Sequence, residues 1–263
     1  MGIHVLSDLK DKKLEQRIVD KGHKASVRTG LPFKAIFMVE FAELERCVKK
    51  GHEEIKIQDE KVPVTAFIGP TGTPSILRTT NGTIFYCHGI PGAVYNEPTE
   101  EKMAHELLHQ DYDNRNIGAY VYKIVEHTKG VLAKWWIREA IEWFVDSNID
   151  GYVTFLYGAK YEKDIEKYCK SWVHDMTENL AILRENNNLR MINLFKACSY
   201  YARVSSLEGE ISGLMEKLTR VNTELKKVLY YAELYRSAFE RGKTGYKAEK
   251  VDVEKFHKKI ARA

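Results

Sequence analysis

The first 95 residues carry short apolar runs separated by polar and turn-forming segments. Residues 1–29 hold apolar side chains at nearly helical spacing, and Gly30-Leu31-Pro32 follows as a stop signal, which predicts a helix. Residues 42–51 predict a short polar helix. Three further runs have the composition of strands: 33–39, 62–68 and 82–90. This part of the chain is therefore expected to form a small α/β or α+β unit with about three or four strands.

Helical patterns replace strand patterns after residue 96. Asn96-Glu97-Pro98-Thr99 has the features of a helix start, because proline is tolerated in a first turn and acidic residues suit the positive end of the helix dipole. The helix that starts here should include residues 105–109. Further helices are predicted at 118–128 and at 131–145, the last ended by Asn148-Ile149-Asp150-Gly151, and the pattern is almost wholly helical from residue 161 onward.

Apolar residues recur in alternating steps of three and four through residues 204–239. This heptad pattern predicts a helix of about 35 residues that packs along its length against a partner. A helical hairpin with 161–185 is favoured, because that partner is available in the same chain. A homodimer formed through 204–239 is the alternative. Residues 241–263 are basic and weakly patterned, and should form a frayed tail or a short docking helix.

Together these patterns predict an α+β fold with two domains. Residues 1–155 are expected to hold a small mixed sheet followed by helices. Residues 156–263 are expected to form a mainly α-helical domain with the long heptad-patterned helix.

Composition excludes some partners. Of the 263 residues, 44% are hydrophobic and 30% are charged, and the formal net charge is +4. Such a chain can bury a sizeable core, and its charge is too small to indicate nucleic acid by itself. No apolar run reaches the roughly 18 residues that would span a membrane, so no membrane partner is expected. Residues 1–17 lack the apolar core of a secretory signal.

The cysteines and the basic tail refine this picture. Four cysteines are scattered without a C-x-x-C pair: Cys47, Cys87, Cys169 and Cys198. We therefore expect free thiols in a reducing compartment and a cytoplasmic location. The basic tail contains few aromatic residues, Tyr246 and Phe256, so a solvated tail is favoured over nucleic-acid binding.

Residues His105, Glu106, Leu107, Leu108 and His109 read H-E-x-x-H. On a helix, residues four apart lie about 40° apart and one turn along the axis, so His105 and His109 can direct two imidazoles at one ion. Neutral imidazole nitrogen suits zinc. Glu106 is rotated by about 100° and can reach the side of the ion, where a general base for a water molecule belongs. The motif therefore predicts a zinc site that still needs a third ligand.

Glu139 is the third ligand that we predict. On a helical wheel, Arg138 and Glu142 fall on a polar stripe, whereas Glu139 falls between Trp135 and Trp143. Burying a carboxylate among large apolar groups costs several kcal/mol unless a cation or hydrogen-bond donors compensate. A metal would supply that compensation, and a salt bridge or a hydrogen-bonded buried acid is the alternative. Glu142 is the reserve candidate.

The two segments together resemble the gluzincin metallopeptidases, the broad group of thermolysin-like and aminopeptidase-like enzymes. The likeness rests on residues 105–109 and on 136–143, which read W-I-R-E-A-I-E-W. It implies zinc on His105, His109 and Glu139, with Glu106 as base and proton shuttle. It also implies a substrate strand lying along an edge strand upstream of the zinc helix, which the 82–90 segment around Tyr86 would supply.

The sequence departs from the family pattern in places. Thermolysin-like enzymes often carry an acid four positions after the third ligand, where this chain has Trp143, so support for a histidine would have to come from Asp146 or Glu142. The longer H-E-x-x-H-x-x-G-x-x-H pattern is absent, since Tyr112 and Arg115 occupy its glycine and third-histidine positions. No G-x-M-E-N motif of the aminopeptidases occurs.

The expected function is therefore zinc-dependent endopeptidase-like hydrolysis of a peptide or protein substrate, with Glu106 as general base. The residue that stabilises the oxyanion stays open among Tyr152, Tyr157 and His174. The alternative is a catalytically silent zinc-binding scaffold whose heptad helix mediates protein–protein interaction.

Overall fold

The computed structural model describes residues 3–68, 73–80, 82–93, 97–114, 117–128, 131–182, 195–196, 198–200, 202–203 and 225–261. The described chain has a mixed α+β architecture and divides into two compact units, Met1–Asp111 and Tyr112–Ala263. The division between the two units falls within the helix that carries the H-E-x-x-H motif. The domain boundary that the sequence indicates after residue 155 stays a prediction.

The first unit contains the described strands. Its elements in chain order are β1 (His4–Ser7), α1 (Lys12–Thr29), β2 (Ala35–Glu40), α2 (Phe41–Lys49), β3 (Glu54–Ile57), β4 (Glu60–Pro63), a 3₁₀ turn (Val64–Phe67), β5 (Leu77–Thr80), β6 (Thr83–His88) and α3 (Glu100–Asn114). Four of the strands form one sheet in the order β1-β2-β6-β5, in which β1, β2 and β6 are parallel and β5 runs antiparallel to β6. Strands β3 and β4 form a separate antiparallel pair.

The N-terminal segment corrects one prediction. Residues 4–7 form a parallel strand with β2, and the helix begins only at Lys12. The Asp11 carboxylate accepts hydrogen bonds from the backbone N–H groups of Lys13 and Leu14, which caps the helix and fixes its start. Gly30 ends the helix in a left-handed conformation, with φ at 69°. The apolar residues before Lys12 therefore do not belong to the helix. A segment of four residues is too short to distinguish the helical period of 3.6 from the strand period of 2.

The strand predicted at 62–68 is also shorter than expected. Strand β4 ends at Pro63, and a 3₁₀ turn follows it. The apolar side chains of this segment still enter the core, since Val62, Val64 and Phe67 pack with residues of α2 and of the main sheet. Their apolar character marked burial and did not by itself specify a strand.

The second unit is helical in its described residues. Its elements after the end of α3 are α4 (Ile117–His127), α5 (Val131–Tyr157), α6 (Ala159–Ile182), α7 (Leu225–Lys243) and α8 (Lys250–Ile260). Helix α5 continues through residues 148–151, where the sequence predicted its end. Gly151 lies where α7 crosses, and a Cβ atom built there would sit 2.0 Å from the carbonyl oxygen of Phe239. The glycine therefore permits close helix packing and does not end the helix.

Helix α7 is the described part of the heptad pattern, and residues 204–224 lie outside the described residues. Four of its apolar side chains are buried within the unit: Tyr231, Tyr235, Ala238 and Phe239. The Tyr235 hydroxyl donates to the carbonyl of Ala140 at 3.0 Å, and the Asn148 amide donates to the carbonyl of Ala238 at 2.8 Å. The described part of the heptad helix therefore packs against α5, and Lys243 at its end pairs with Glu162 of α6 at 2.7 Å. The hairpin with 161–185 stays a prediction. The homodimer stays a prediction.

The C-terminal segment forms the docking helix that was one of the two expectations. Helix α8 buries Val253, Phe256 and Ile260, and the Phe256 ring stacks on Phe144 with centroids 4.5 Å apart. All four cysteines are buried thiols. Among the described residues, no helix combines the length and the apolar character needed to cross a bilayer.

Candidate metal centre

Helix α3 carries the H-E-x-x-H motif and is anchored at its start to α1. The Glu97 carboxylate, just before the helix, accepts from Lys21 Nζ at 2.6 Å and from Arg17 Nη2 at 3.1 Å. The Thr99 hydroxyl accepts from the backbone N–H of Lys102, which caps the first turn. These contacts hold the helix start in place within the first unit.

One face of α3 packs into the core of the first unit. Met103, Ala104, Leu107 and Leu108 are fully buried, as the predicted apolar stripe requires. A Cβ atom built on Gly22 of α1 would lie 2.9 Å from the Phe33 ring and 3.7 Å from Met103 Sδ. The small residue therefore leaves room for the Phe33 ring, and Met103 of α3 lies at ordinary van der Waals distance from the same position.

The two histidines converge, as their spacing predicts. The Nε2 atoms of His105 and His109 lie 3.0 Å apart, His105 is buried and His109 is half-buried. Two nitrogen ligands of a tetrahedral zinc ion with bonds of about 2.05 Å would lie about 3.3 Å apart. Without an ion, the same spacing is a hydrogen bond between one protonated and one bare ring nitrogen. The pair therefore fits zinc with only a small adjustment of either ring.

Glu106 lies beside the histidine pair. Its side chain is 15% exposed, and one carboxylate oxygen lies 3.0 Å from Nζ of Lys102, one turn earlier. Burial favours the neutral acid, but the charges of Lys102 and of the two imidazoles outweigh it, so the pKa of the Glu106 carboxyl lies below its usual value. Glu106 is therefore a carboxylate at neutral pH, in the protonation state that a general base needs.

An edge strand lies against the same helix. The Thr79 hydroxyl of β5 donates to the backbone carbonyl of Glu106 at 2.6 Å. Strand β5 pairs with β6 on one side, and no other described strand pairs with it on the other. The sequence assigned the edge to 82–90, but β6 is an inner strand between β2 and β5, and Tyr86 is fully buried. The expected edge strand therefore exists, one strand earlier in the chain.

The third ligand of the proposed ion has two candidates. Among the described residues, His105, His109 and Asp146 form a group that could hold a metal ion, with ligand atoms all within 4.8 Å of one another. Glu139 is not in that group. It lies two turns before Asp146 on α5, about 10 Å along the helix axis, and it is half-buried near the charges of Arg138 and Lys196. Glu139 as a ligand stays a prediction, and Asp146 is a second candidate.

Glu142, the reserve candidate for the third ligand, lies beside Arg138. The Glu142 carboxylate accepts from Nε of Arg138 at 2.7 Å in an exposed pair, which confirms that both belong to the polar stripe of α5.

Asp146 lies on α5 two residues before Asn148, which is the centre of a buried hydrogen-bond network. The Tyr112 hydroxyl, from the last turn of α3, donates to Oδ1 of Asn148, and the same oxygen accepts from the backbone N–H of Ala248 at 2.7 Å. This link fixes the end of α3 against α5 within the second unit. Sequence reasoning gave Asp146 only a supporting role, because a seven-residue step from Glu139 keeps both on one side of α5 and the wheel cannot tell which of them meets the histidines.

Tyr152, Tyr157 and His174 are the candidates for stabilising the oxyanion. Tyr152 lies beside Lys247 and Phe155 in the second unit. The side chain of His174 lies outside the described residues, and Tyr157 is half-buried at the end of α5. None of the three is assigned to the site.

Comparisons with protein-family models, with curated proteins and with solved structures yield no match for this chain.

Proposed function

We propose that this chain is a zinc-dependent peptidase of the gluzincin type, acting on internal bonds of peptide or protein substrates. The observation that carries the proposal is the convergence of His105 and His109, 3.0 Å apart on one helix turn, with the Glu106 carboxylate next to them. Two neutral imidazoles and a carboxylate match the donor set of catalytic zinc sites.

Each residue of the site would have a separate role in peptide hydrolysis. A bound zinc ion would supply Lewis-acid polarisation of a carbonyl and a lower pKa for a water ligand. His105 and His109 hold the ion. Glu106, ionised at neutral pH, accepts a proton from the attacking water and returns it to the leaving amine. The third protein ligand is Asp146 or Glu139.

Strand β5 gives the proposal a substrate site. An extended peptide can add to an exposed sheet edge through main-chain hydrogen bonds. Thr79 ties this edge to the backbone of Glu106, so a peptide that pairs with β5 would run past the proposed base. Main-chain pairing favours extended substrates and leaves side-chain specificity to the surrounding loops.

The test combines metal content with hydrolysis. We expect one zinc per chain by elemental analysis, and cleavage of unfolded casein or of a quenched fluorescent peptide library. Glu106→Gln should keep the zinc and reduce hydrolysis by roughly 10²–10⁴-fold, the usual contribution of a positioned acid–base group. Glu100→Gln, at a half-buried residue in the first turn of the same helix, is the matched control and should leave both unchanged. A chain that binds no zinc would refute the proposal.

The second candidate function is a catalytically silent zinc-binding scaffold. It needs an apolar helix face that remains available to a partner, whereas α7 buries Tyr231, Tyr235 and Phe239 within the second unit. Zinc binding without hydrolysis, unchanged by Glu106→Gln, would favour this function over the peptidase.

A further inference from the structure

The last two helices of the second unit concentrate the positive charge of the chain. Residues 241–261 contain seven lysines or arginines and three acids, a net charge of +4 that equals the formal net charge of all 263 residues. The three acids are engaged: Glu249 caps α8, Asp252 lies 2.8 Å from Arg241, and Glu254 lies 3.5 Å from Lys250. The remaining cations therefore set the sign of this surface.

Four lysines are exposed on the solvent face of α8. They are Lys250, Lys255, Lys258 and Lys259, and they span about 13 Å along the helix axis. The opposite face, with Phe256 at its centre, is buried in the unit. A helix that inserts into a membrane surface must leave its apolar face available. Because that face packs inside the unit, α8 could attract a bilayer through its charge but could make almost no apolar contact with it.

Aromatic rings border the basic segment, although few of them are close to it in sequence. Lys247 Nζ lies 5.0 Å from the Tyr152 ring centroid, and Lys250 Nζ lies 5.5 Å from the Tyr120 ring centroid. The Tyr152 and Phe155 centroids are 5.8 Å apart, and the Phe155 side chain is 54% exposed. An exposed phenylalanine beside a tyrosine and a lysine forms a surface on which a planar ring can stack.

We propose that this basic–aromatic surface binds single-stranded nucleic acid. The surface comprises Lys247, Lys250, Lys255, Lys258 and Lys259 together with Tyr120, Tyr152 and Phe155. Single-strand binding combines a cationic track for the phosphates with aromatic side chains on which bases stack. The lysines of α8 supply the track, and Phe155 with Tyr152 supplies the stacking site. An acidic polypeptide would use the lysines and leave the rings without a partner.

The experiment measures fluorescence anisotropy of a labelled oligothymidylate of about 20 nucleotides, titrated with the full chain at several salt concentrations. We expect binding at about 50 mM salt that weakens linearly in log–log form, with a slope of about −0.7 for each phosphate neutralised. The triple variant Lys255→Gln, Lys258→Gln, Lys259→Gln should reduce the magnitude of that slope by about 2. Phe155→Ala should weaken binding by roughly 5- to 100-fold with the slope unchanged, because it removes stacking and no charge.

A matched control separates this surface from overall charge. Lys13→Gln, Lys24→Gln, Lys50→Gln removes three exposed lysines of the first unit and changes the net charge equally. It should bind as the native chain does, and circular dichroism should report folded protein for every variant. Equal losses in the control and the α8 variant would overturn the proposal, as would the absence of binding at about 50 mM salt. Tighter binding to phosphatidylserine vesicles or to polyglutamate than to the oligothymidylate would also overturn it.

Discussion

The buried carboxylate of Asp252 lies beside partners that compensate its charge. Asp252 is nearly fully buried at the start of α8, and its carboxylate accepts from the backbone N–H of Glu249, the Tyr246 hydroxyl and the Arg241 guanidinium. Burial alone would raise the pKa of this carboxyl, but the three donors outweigh it, so the pKa lies below the ordinary value of 3.8. This carboxylate therefore stabilises the docked position of α8.

The pH dependence of stability follows from that depressed pKa. The contribution of Asp252 is fully present above the unfolded pKa of about 3.9, and it is lost as the pH falls through the lower folded pKa. Asp252→Asn should lower the free energy of unfolding by about 1–3 kcal/mol at pH 7, because it weakens charge-assisted hydrogen bonds. Denaturant unfolding at several pH values measures the difference, which should shrink below about pH 4. A difference that is constant with pH would contradict this account.

Single substitutions can also show whether Asp146 or Glu139 is the third ligand. If Asp146 binds the ion, Asp146→Ala should lower zinc affinity by more than the roughly 10–100-fold that is typical of changes around metal ligands. Glu139→Ala should then leave the affinity near its native value. Competition with a chromogenic chelator measures both. The opposite result would make Glu139 the ligand, as the family resemblance implies.

At the scale of elements, single small or hydroxylated side chains set the distance between neighbouring helices and strands. Thr79 joins β5 to the middle of α3, and Gly151 and Gly242 lie where α5 and α7 cross. A Cβ atom on Gly242 would lie 2.3 Å from the carbonyl oxygen of Asn148. Neither helix backbone can give way at that crossing without losing its packing.

The strand–helix bond should affect the proposed reaction more than it affects folding. Thr79→Val keeps the shape of the side chain and removes the donor, which should cost about 0.5–1.5 kcal/mol of stability. If β5 aligns the substrate with Glu106, the same change should raise KM for peptides, while Thr79→Ser retains the native value. Thr65→Val, at an exposed threonine, is the matched control. Native KM in Thr79→Val would show that the bond is only structural.

The glycine crossing should be intolerant of any side chain. Gly151→Ala places a methyl group where the Phe239 carbonyl lies, so we expect a loss of at least about 1–3 kcal/mol, the usual cost of overpacking. Glu142→Ala, on the exposed stripe of the same helix, should change stability by less than about 1 kcal/mol. Thermal unfolding of the two variants distinguishes them, and similar midpoints would contradict the close approach.

At the scale of the whole molecule, one helix belongs to both compact units. The division between them falls after Asp111, so the motif lies in the first unit and Tyr112 begins the second. Each unit has its own core, one around the sheet and one around α5 and α7. Because residue 155 lies within α5 and α7 packs against α5, cutting the chain at residue 155, the boundary indicated by the sequence, would remove α7 from α5 and expose apolar surface.

The oligomeric state is a prediction at the same scale. Because α7 buries Tyr231, Tyr235 and Phe239 within the second unit, we expect a monomer of 30.4 kDa by sedimentation equilibrium. A mass that doubles with concentration would instead support the homodimer through residues 204–239.

The sequence alone determined the features that depend on local periodicity and chemistry. The spacing of His105 and His109 requires them to meet on any helix, and the apolar stripe around Leu107 dictates which face of that helix is buried. The existence of strands β2 and β6, and of the helices from α3 onward, was equally predictable in kind from their apolar patterns.

Only the tertiary structure decided which distant residues meet. Sequence periodicity places Glu139 and Asp146 on similar sides of α5 but carries no information on how far along that helix α3 lies. It also cannot reveal that Phe155 and Tyr152 lie beside the basic tail, or that the edge of the sheet is β5. These arrangements depend on packing between elements far apart in the chain, which local pattern does not encode.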